Sequence, residues 1–294
     1  MRHGIIGAGV VGSAWATWLA TYERDVIVYD IDKKAAERTG CRVVDMQTLE
    51  KEADLIWICT AEWHLDRVCE QLAHTTKRVV IRSTIPPGEL DRLRRVHDIQ
   101  HIAHMPEFLR EKTAVQDTFN QDRYVIGTTD EQLFLTIRDV LDWDNTPVHW
   151  VTPTGSSLVK LIANNWLSTQ ISFWNEIKTL LDTYPDVQNN LISYIVLKDE
   201  RISAYGSKLT GKPFGGKCLP KDLNMLLETF FKQSQPSPLL TSVKLVNEHR
   251  RGGKETTCYK CPNCNKILTV DEWQNSMGFC PECNREVVVI DGDE

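Results

Sequence analysis

The chain has 294 residues, 41% of them hydrophobic and 25% charged, with a formal net charge of −6. That balance excludes disordered, collagen-like and fibrous chains, and it supplies no global attraction to nucleic acid or to an anionic membrane. The length allows about two domains, with a core that needs no disulfide staples.

The uncharged stretch from Gly4 to Ala20 comes nearest to a targeting segment. Gly7, Gly9 and Gly12 interrupt it, so it reads as a buried strand followed by a glycine turn. No other stretch approaches the ~20 apolar residues of a membrane span. The expectation is a cytoplasmic protein with no membrane partner.

Short apolar runs at His3–Ile6, Val26–Asp30, Leu55–Cys59, Arg78–Arg82, His101–Ala103 and Tyr124–Gly127 predict strands. Helical patterns such as Ser13–Tyr22 and Trp63–His74 lie between them. This alternation predicts an α/β, Rossmann-type domain over residues 1–152, with a parallel sheet and right-handed crossovers. From Pro153 to Tyr184 one long helical pattern follows, with Leu158, Leu161, Ile162, Trp166 and Trp174 near a 3.6 period. Thr154, followed by Gly155 and Ser156, can cap its start. Further helices at Val187–Val196, Leu219–Phe231 and Pro238–Arg250 complete an all-helical central domain over 153–250. Gly252-Gly253 opens a small tail over 251–294, which ends in a β-branched run, Val287–Ile290.

Gly7-Ala8-Gly9-Val10-Val11-Gly12 follows the first strand and opens the first helix, the context of a dinucleotide fingerprint. The first glycine allows a tight turn, the second admits a pyrophosphate, and the third lets helix and strand pack closely. The helix N–H groups then face the phosphates. Asp30 ends the second strand, where a carboxylate would bind a ribose diol and favour NAD over NADP. Lys33 and Lys34 lie close enough to weaken that preference.

Four later segments resemble the UDP-glucose/GDP-mannose dehydrogenase family. They are Ser83-Thr84-Ile85-Pro86-Pro87-Gly88; Met105 to Glu111; Lys160 to Asn164 with Ser172 to Glu176; and Phe214-Gly215-Gly216-Lys217-Cys218-Leu219-Pro220-Lys221-Asp222. The resemblance covers about residues 1–250. It implies oxidation of a nucleotide sugar's primary alcohol to a carboxylate in two NAD-dependent steps. Cys218 would attack the intermediate aldehyde, and the resulting thioester would be hydrolysed.

The residue chemistry suits those tasks. Cys218 follows two glycines that let the backbone bend, and Lys217 and Lys221 add positive potential that favours a thiolate. Asp222, one helical turn on, can orient water or act as base. Lys160 and Asn164 share a helix face and resemble the family's pair that holds the reacting oxygen and a water. Thr84 can hold the hydrolytic water through its hydroxyl. By resemblance Glu111 is the general base and Glu107 a water or substrate ligand. Phe214, Gly215 and Lys217 would contact substrate, Lys221 the cofactor, and Arg201 the substrate phosphate of a neighbouring subunit. The resemblance also implies a homodimer paired through the long helix.

Two departures stand out. The family's third domain, a second α/β unit for the substrate's nucleotide, has no room in the residues after Arg250. Thr60-Ala61-Glu62 also lacks the family's Pro-rich continuation after Cys59. Lys217, at a position occupied by serine in many relatives, can compensate by binding phosphate.

Nine cysteines are unevenly spread, with five of them, Cys258, Cys261, Cys264, Cys280 and Cys283, in the tail. Cys261-Pro262-Asn263-Cys264 and Cys280-Pro281-Glu282-Cys283 carry the spacing of a four-thiolate zinc ribbon. Cys258 is a fifth candidate. So short a tail would draw its stability from the metal, making zinc structural. Eight acidic residues from Arg250 onward outnumber six basic ones, which argues against nucleic acid.

The leading expectation is therefore an NAD-dependent nucleotide-sugar dehydrogenase with a covalent Cys218 intermediate. A single-step hydroxyacid dehydrogenase using Lys160 and Asn164 is one alternative. A non-catalytic NAD- or metabolite-sensing module acting through its zinc ribbon is the other.

Overall fold

The computed structural model describes residues 1–142, 145–252, 258–260, 264, 267–268, 280–283 and 288–290. The chain divides into two compact units, Met1–Lys160 and Leu161–Glu294. The division falls inside the long helix rather than at its start.

The first unit is a sheet with helices on both faces. Its elements are β1 (Arg2–Ile6), α1 (Val10–Thr21), β2 (Asp25–Tyr29), α2 (Lys33–Glu37), β3 (Arg42–Val43), α3 (Met46–Glu52), β4 (Leu55–Ile58) and α4 (Leu65–Gln71). They continue with β5 (Arg78–Ile81), α5 (Glu89–Val96), β6 (Ile102–His104), α6 (Ala114–Phe119), β7 (Tyr124–Gly127), α7 (Glu131–Leu141) and β8 (Val148–Val151). The strand order is β3-β2-β1-β4-β5-β6-β7-β8. All six predicted strands are present, within a residue or so at each end. The short strands β3 and β8 carry little apolar signal: β8 is Val-His-Trp-Val, with both central residues exposed.

The predicted parallel sheet is present, with one antiparallel pair in it. β3 through β6 run parallel, but β6 and β7 pair antiparallel. The chain between them does not make a helical crossover over the sheet edge. It runs through an irregular segment and the short α6, which packs on α1 with Phe119 against Tyr22. Without a full crossover the chain enters β7 from the opposite end.

Strand alternation fills two cores. One face carries Ile5, Val28, Trp57 and Val80 against Trp15, Trp18 and Leu19 of α1. The other carries Ile6, Ile27, Ile56 and Ile81 against Leu49, Leu65 and Leu93. Trp15 and Trp18 stack at 4.7 Å, and Trp57 meets Trp15 edge-on at 5.0 Å. The Trp57 indole N–H donates to His3 Nδ1 at 3.1 Å, and burial pushes the His3 imidazole down to about 4.

The long helix α8 spans Pro153–Leu181. Its amino-terminal cap is Thr152, not Thr154: the helix starts earlier than the Thr-Gly-Ser run suggests, and Thr152 Oγ1 accepts the Gly155 N–H at 3.1 Å. In the second unit α9 (Asn189–Val196), α10 (Leu219–Lys232) and α11 (Pro238–Arg250) follow. Ile171, Phe214, Leu223 and Val243 form a buried cluster there. The tail forms a small antiparallel sheet in the order β10-β9-β11, from β9 (Cys258–Lys260), β10 (Ile267–Leu268) and β11 (Val288–Ile290). No described helix is long and apolar enough to cross a membrane.

Candidate functional site

The glycine turn after β1 has the geometry that the fingerprint demands. Gly7 sits at φ +96°, a conformation L side chains rarely adopt and glycine reaches at little cost because it lacks a Cβ. A Cβ at Gly12 would collide with the Gly7 carbonyl oxygen, so the third glycine is needed for helix and strand to meet. At Gly9 a Cβ would point into open space, which leaves that backbone accessible from outside. No side chain caps α1, and its first turn contains no acidic residue. The positive end of the helix therefore stays available to an anion, with Val10 exposed beside it. Asp30 Oδ2 accepts the Ala8 N–H at 2.5 Å and Oδ1 the Asp32 N–H at 2.8 Å, which fixes the carboxylate beside the turn. These residues fit a dinucleotide. Lys33, exposed, faces Glu37 at 3.9 Å.

Beyond the turn, the first unit holds a buried ion pair. Lys160, 3% exposed, places Nζ 3.1 Å from Glu107 Oε1. Glu107 Oε2 accepts the Leu109 N–H at 2.6 Å, so the carboxylate is held from both sides. The Lys160 ammonium also lies 5.3 Å from the Phe108 ring centroid. Glu111, by contrast, is exposed at the start of a single 3-10 turn. Thr84 is half-buried, directly after Ser83, whose hydroxyl donates to the Thr60 carbonyl at 2.5 Å.

Two buried groups of this unit escaped the sequence reading. His104 Nδ1 lies 2.8 Å from Ser156 Oγ, and Nε2 lies 3.1 Å from the Ser83 carbonyl. A carbonyl only accepts, so Nε2 carries the proton and Nδ1 faces Ser156 Oγ, whose hydroxyl donates to the Pro153 carbonyl at 2.8 Å. Burial, with the nearby Lys160 and Arg82 charges, pushes the imidazole down to about 3. His104 thus ties β6 to the turn holding Thr84 and to the start of α8. Arg82, 1% exposed, lays its guanidinium 4.1 Å from the Trp15 ring, and burial lowers its pKa. A lone histidine or arginine in an apolar run gives no spacing signal.

The second unit carries its own cluster. Cys218 is exposed at the amino-terminal end of α10, and Pro220 lies in the first turn. Asp222, 1% exposed, donates its backbone N–H to the Cys218 carbonyl at 2.9 Å. Its Oδ2 accepts from the Asn164 amide at 2.5 Å, and Oδ1 faces Lys221 Nζ as an ion pair at 2.8 Å. Asn165 donates to the Asp222 carbonyl at 3.1 Å. Gly216 takes φ +71°, the bend ahead of the thiol, with Gly215 and Lys217 exposed. Phe214 is buried and clamped by Asn247, whose Oδ1 accepts the Phe214 N–H at 2.7 Å and whose Nδ2 donates to its carbonyl at 3.2 Å. Asn247 was not foreseen either, since an asparagine inside a helix carries no motif. Arg201 is exposed and paired with Asp199 at 2.5 Å within its own chain.

The other scattered cysteines are poor nucleophiles. Cys59 and Cys69 are buried, and desolvation pushes both thiols up to about 12; Cys41 is half-buried and also raised. Among these four, Cys218 alone is exposed.

The NAD-binding domain of the UDP-glucose/GDP-mannose dehydrogenase family matches residues 41–142, and its central domain matches residues 154–249. The NAD-binding domain of D-isomer-specific 2-hydroxyacid dehydrogenases matches residues 1–64. The chain is 28% identical to UDP-glucose 6-dehydrogenase YwqF of Bacillus subtilis, over 85% of this chain and 67% of the relative. A UDP-glucose dehydrogenase structure from Pyrobaculum islandicum superposes with a TM-score of 0.74 at 24% identity, over 84% of this chain and 68% of that one. A Mycobacterium tuberculosis 3-hydroxyisobutyrate dehydrogenase shares the fold at a TM-score of 0.71 and 15% identity, over 85% of this chain and 94% of its own. The chain thus spans about two thirds of its UDP-glucose dehydrogenase relatives.

Proposed function

The chain belongs to the UDP-glucose/GDP-mannose dehydrogenase family through its NAD-binding and central domains, and from that premise we propose that it oxidises a nucleotide sugar's primary alcohol to the carboxylate. NAD, held at the Gly7–Gly12 turn and Asp30, would supply the hydride acceptor, two molecules being consumed per product. The observation that carries this reading is Cys218, exposed at a helix amino terminus with Asp222 and Asn164 bonded one turn away.

In the first oxidation a base takes the hydroxyl proton as the carbon loses hydride. Lys160, whose Nζ faces Glu107 at 3.1 Å, suits stabilisation of the alkoxide oxygen, and Asn164 donates to the same oxygen or to a water. The Cys218 thiolate then adds to the aldehyde carbon, forming a C–S bond and a thiohemiacetal oxyanion. Loss of a second hydride leaves a thioester. Water adds to it, the C–S bond breaks, and carboxylate and thiol are released. Asp222, fixed by Asn164 and Lys221, orients or deprotonates that water, with Thr84 as a second anchor. Glu111 serves as general base for the acyl steps, its exposure leaving it free to approach substrate. Phe214, Gly215 and Lys217 would contact the substrate, with Lys217 towards its phosphates and Lys221 towards the cofactor.

The functional molecule in this reading is a homodimer. Ile162, Trp166 and Phe173 form an exposed apolar stripe on α8, which a second copy would cover, bringing its Arg201 to the substrate phosphate. The test is a panel of nucleotide sugars and small hydroxyacids, followed by NADH absorbance and product mass spectrometry. A nucleotide-linked carboxylate supports the proposal. Oxidation of a hydroxyacid by one hydride, unaffected by Cys218→Ser, would replace it with the single-step reading.

A further inference from the structure

β9, β10 and β11 are three, two and three residues long, so the terminal sheet can bury little apolar area of its own. Among the described residues of the tail, the thiols of Cys264, Cys280 and Cys283 lie within 4.8 Å of one another. Cys264 Sγ is 3.5 Å from Cys280 Sγ and 3.8 Å from Cys283 Sγ. A disulfide requires about 2.05 Å, so neither pair is a bridge. Sulfurs at about 2.3 Å from a tetrahedral zinc ion stand about 3.8 Å apart, and the observed separations are close to that edge. Two of the three sulfur separations therefore match the edge of a tetrahedral thiolate site, and the third lies within 4.8 Å. Neither matched domain of the family extends past residue 249, so the cluster lies outside both.

We propose that Cys264, Cys280 and Cys283, with Cys261 as the fourth thiolate, bind one structural zinc ion. Cys261 lies outside the described residues and is named as a ligand from the repeat of the C-P-x-C spacing in the sequence alone. The strand register sets Cys258 apart from Lys260. Lys260, next in sequence to the first C-P-x-C turn, pairs with both Ile267 and Val288, whereas Cys258 pairs with Ile290. Cys258 therefore begins β9 about 6.6 Å before Lys260, at the strand end away from that turn. Four thiolates close the coordination sphere and leave no position for substrate, so the ion is scaffold and not Lewis acid. Binding would release the thiol protons and cross-link two C-P-x-C segments separated by 15 residues, adding stability to a terminal sheet of very short strands.

The test is metal analysis of the full chain, purified reduced and without added metal or chelator. One zinc per chain is expected, retained in Cys258→Ser and lost in Cys264→Ser and Cys280→Ser. Because those variants can misfold, wild-type protein is also titrated with an organomercurial while released zinc is followed, with one zinc released per chain expected. Cobalt substitution should give the intense visible absorption of a tetrahedral thiolate site. Substoichiometric zinc in reduced wild type, iron in its place, or zinc lost from Cys258→Ser but kept in Cys261→Ser would each overturn the assignment.

Discussion

Replacing Lys160 with methionine should destabilise the first unit through Glu107. The ammonium is 3% exposed and the carboxylate 11% exposed, at 3.1 Å, so removing one partner strands a buried charge. Such losses cost about 3–5 kcal/mol. Glu107 keeps the Leu109 N–H at 2.6 Å, which places this case near the lower end, about 3 kcal/mol. At roughly 2–4 °C per kcal/mol, the melting temperature should fall by about 6–12 °C. Adding Glu107→Gln to that variant removes the stranded charge and should return about 2 kcal/mol, because a neutral amide costs less to bury than an unpaired carboxylate. Thermal and urea unfolding followed by tryptophan emission suits the measurement, since Trp15, Trp18 and Trp57 are buried in this unit. Both variants should lose turnover, separating stability from activity. A loss below about 1 kcal/mol for Lys160→Met, or no recovery in the double variant, would refute the reasoning about the pair.

His104 is held neutral at about 3 against 6.5 when unfolded, so its contribution is present above about pH 6.5 and lost as pH falls toward 3. His104→Asn should flatten the acid limb of stability by up to about 1.4 kcal/mol per pH unit, measured by urea unfolding between about pH 6 and pH 4; an unchanged slope would contradict the burial argument. Gly12→Ser should abolish NAD binding in calorimetry, because its Cβ collides with the Gly7 carbonyl; retained affinity would remove the turn from the cofactor site. Trp166→Glu with Phe173→Glu should sediment as a monomer where wild type sediments as a dimer, and a wild-type monomer at micromolar concentration would end the subunit-pairing proposal.

What the sequence made legible follows from which signals are local. The glycine turn could be read because backbone demands are local: Gly7 takes φ +96°, and a Cβ at Gly12 would meet the Gly7 carbonyl. The helices of the second unit carried a 3.6 period and were placed within a few residues. The antiparallel β6–β7 pairing was not visible, since direction depends on how Met105–Arg123 is routed and not on strand composition. Among acids, spacing alone could not separate Glu107 and Glu111; burial does, with Glu107 paired to Lys160 and Glu111 exposed. His104 and Asn247 hold turns by side-chain to backbone bonds across 21 and 33 residues, a range over which no periodicity operates.

The central claim is a covalent intermediate on Cys218, and the most direct measurement is the ratio of NADH formed to nucleotide sugar consumed in a single exhaustive reaction. Wild type should give two NADH and one carboxylate per sugar. Cys218→Ser should give at most one NADH, with aldehyde and no carboxylate, because serine is far harder to ionise than cysteine. Two NADH and full carboxylate yield from Cys218→Ser would contradict the account.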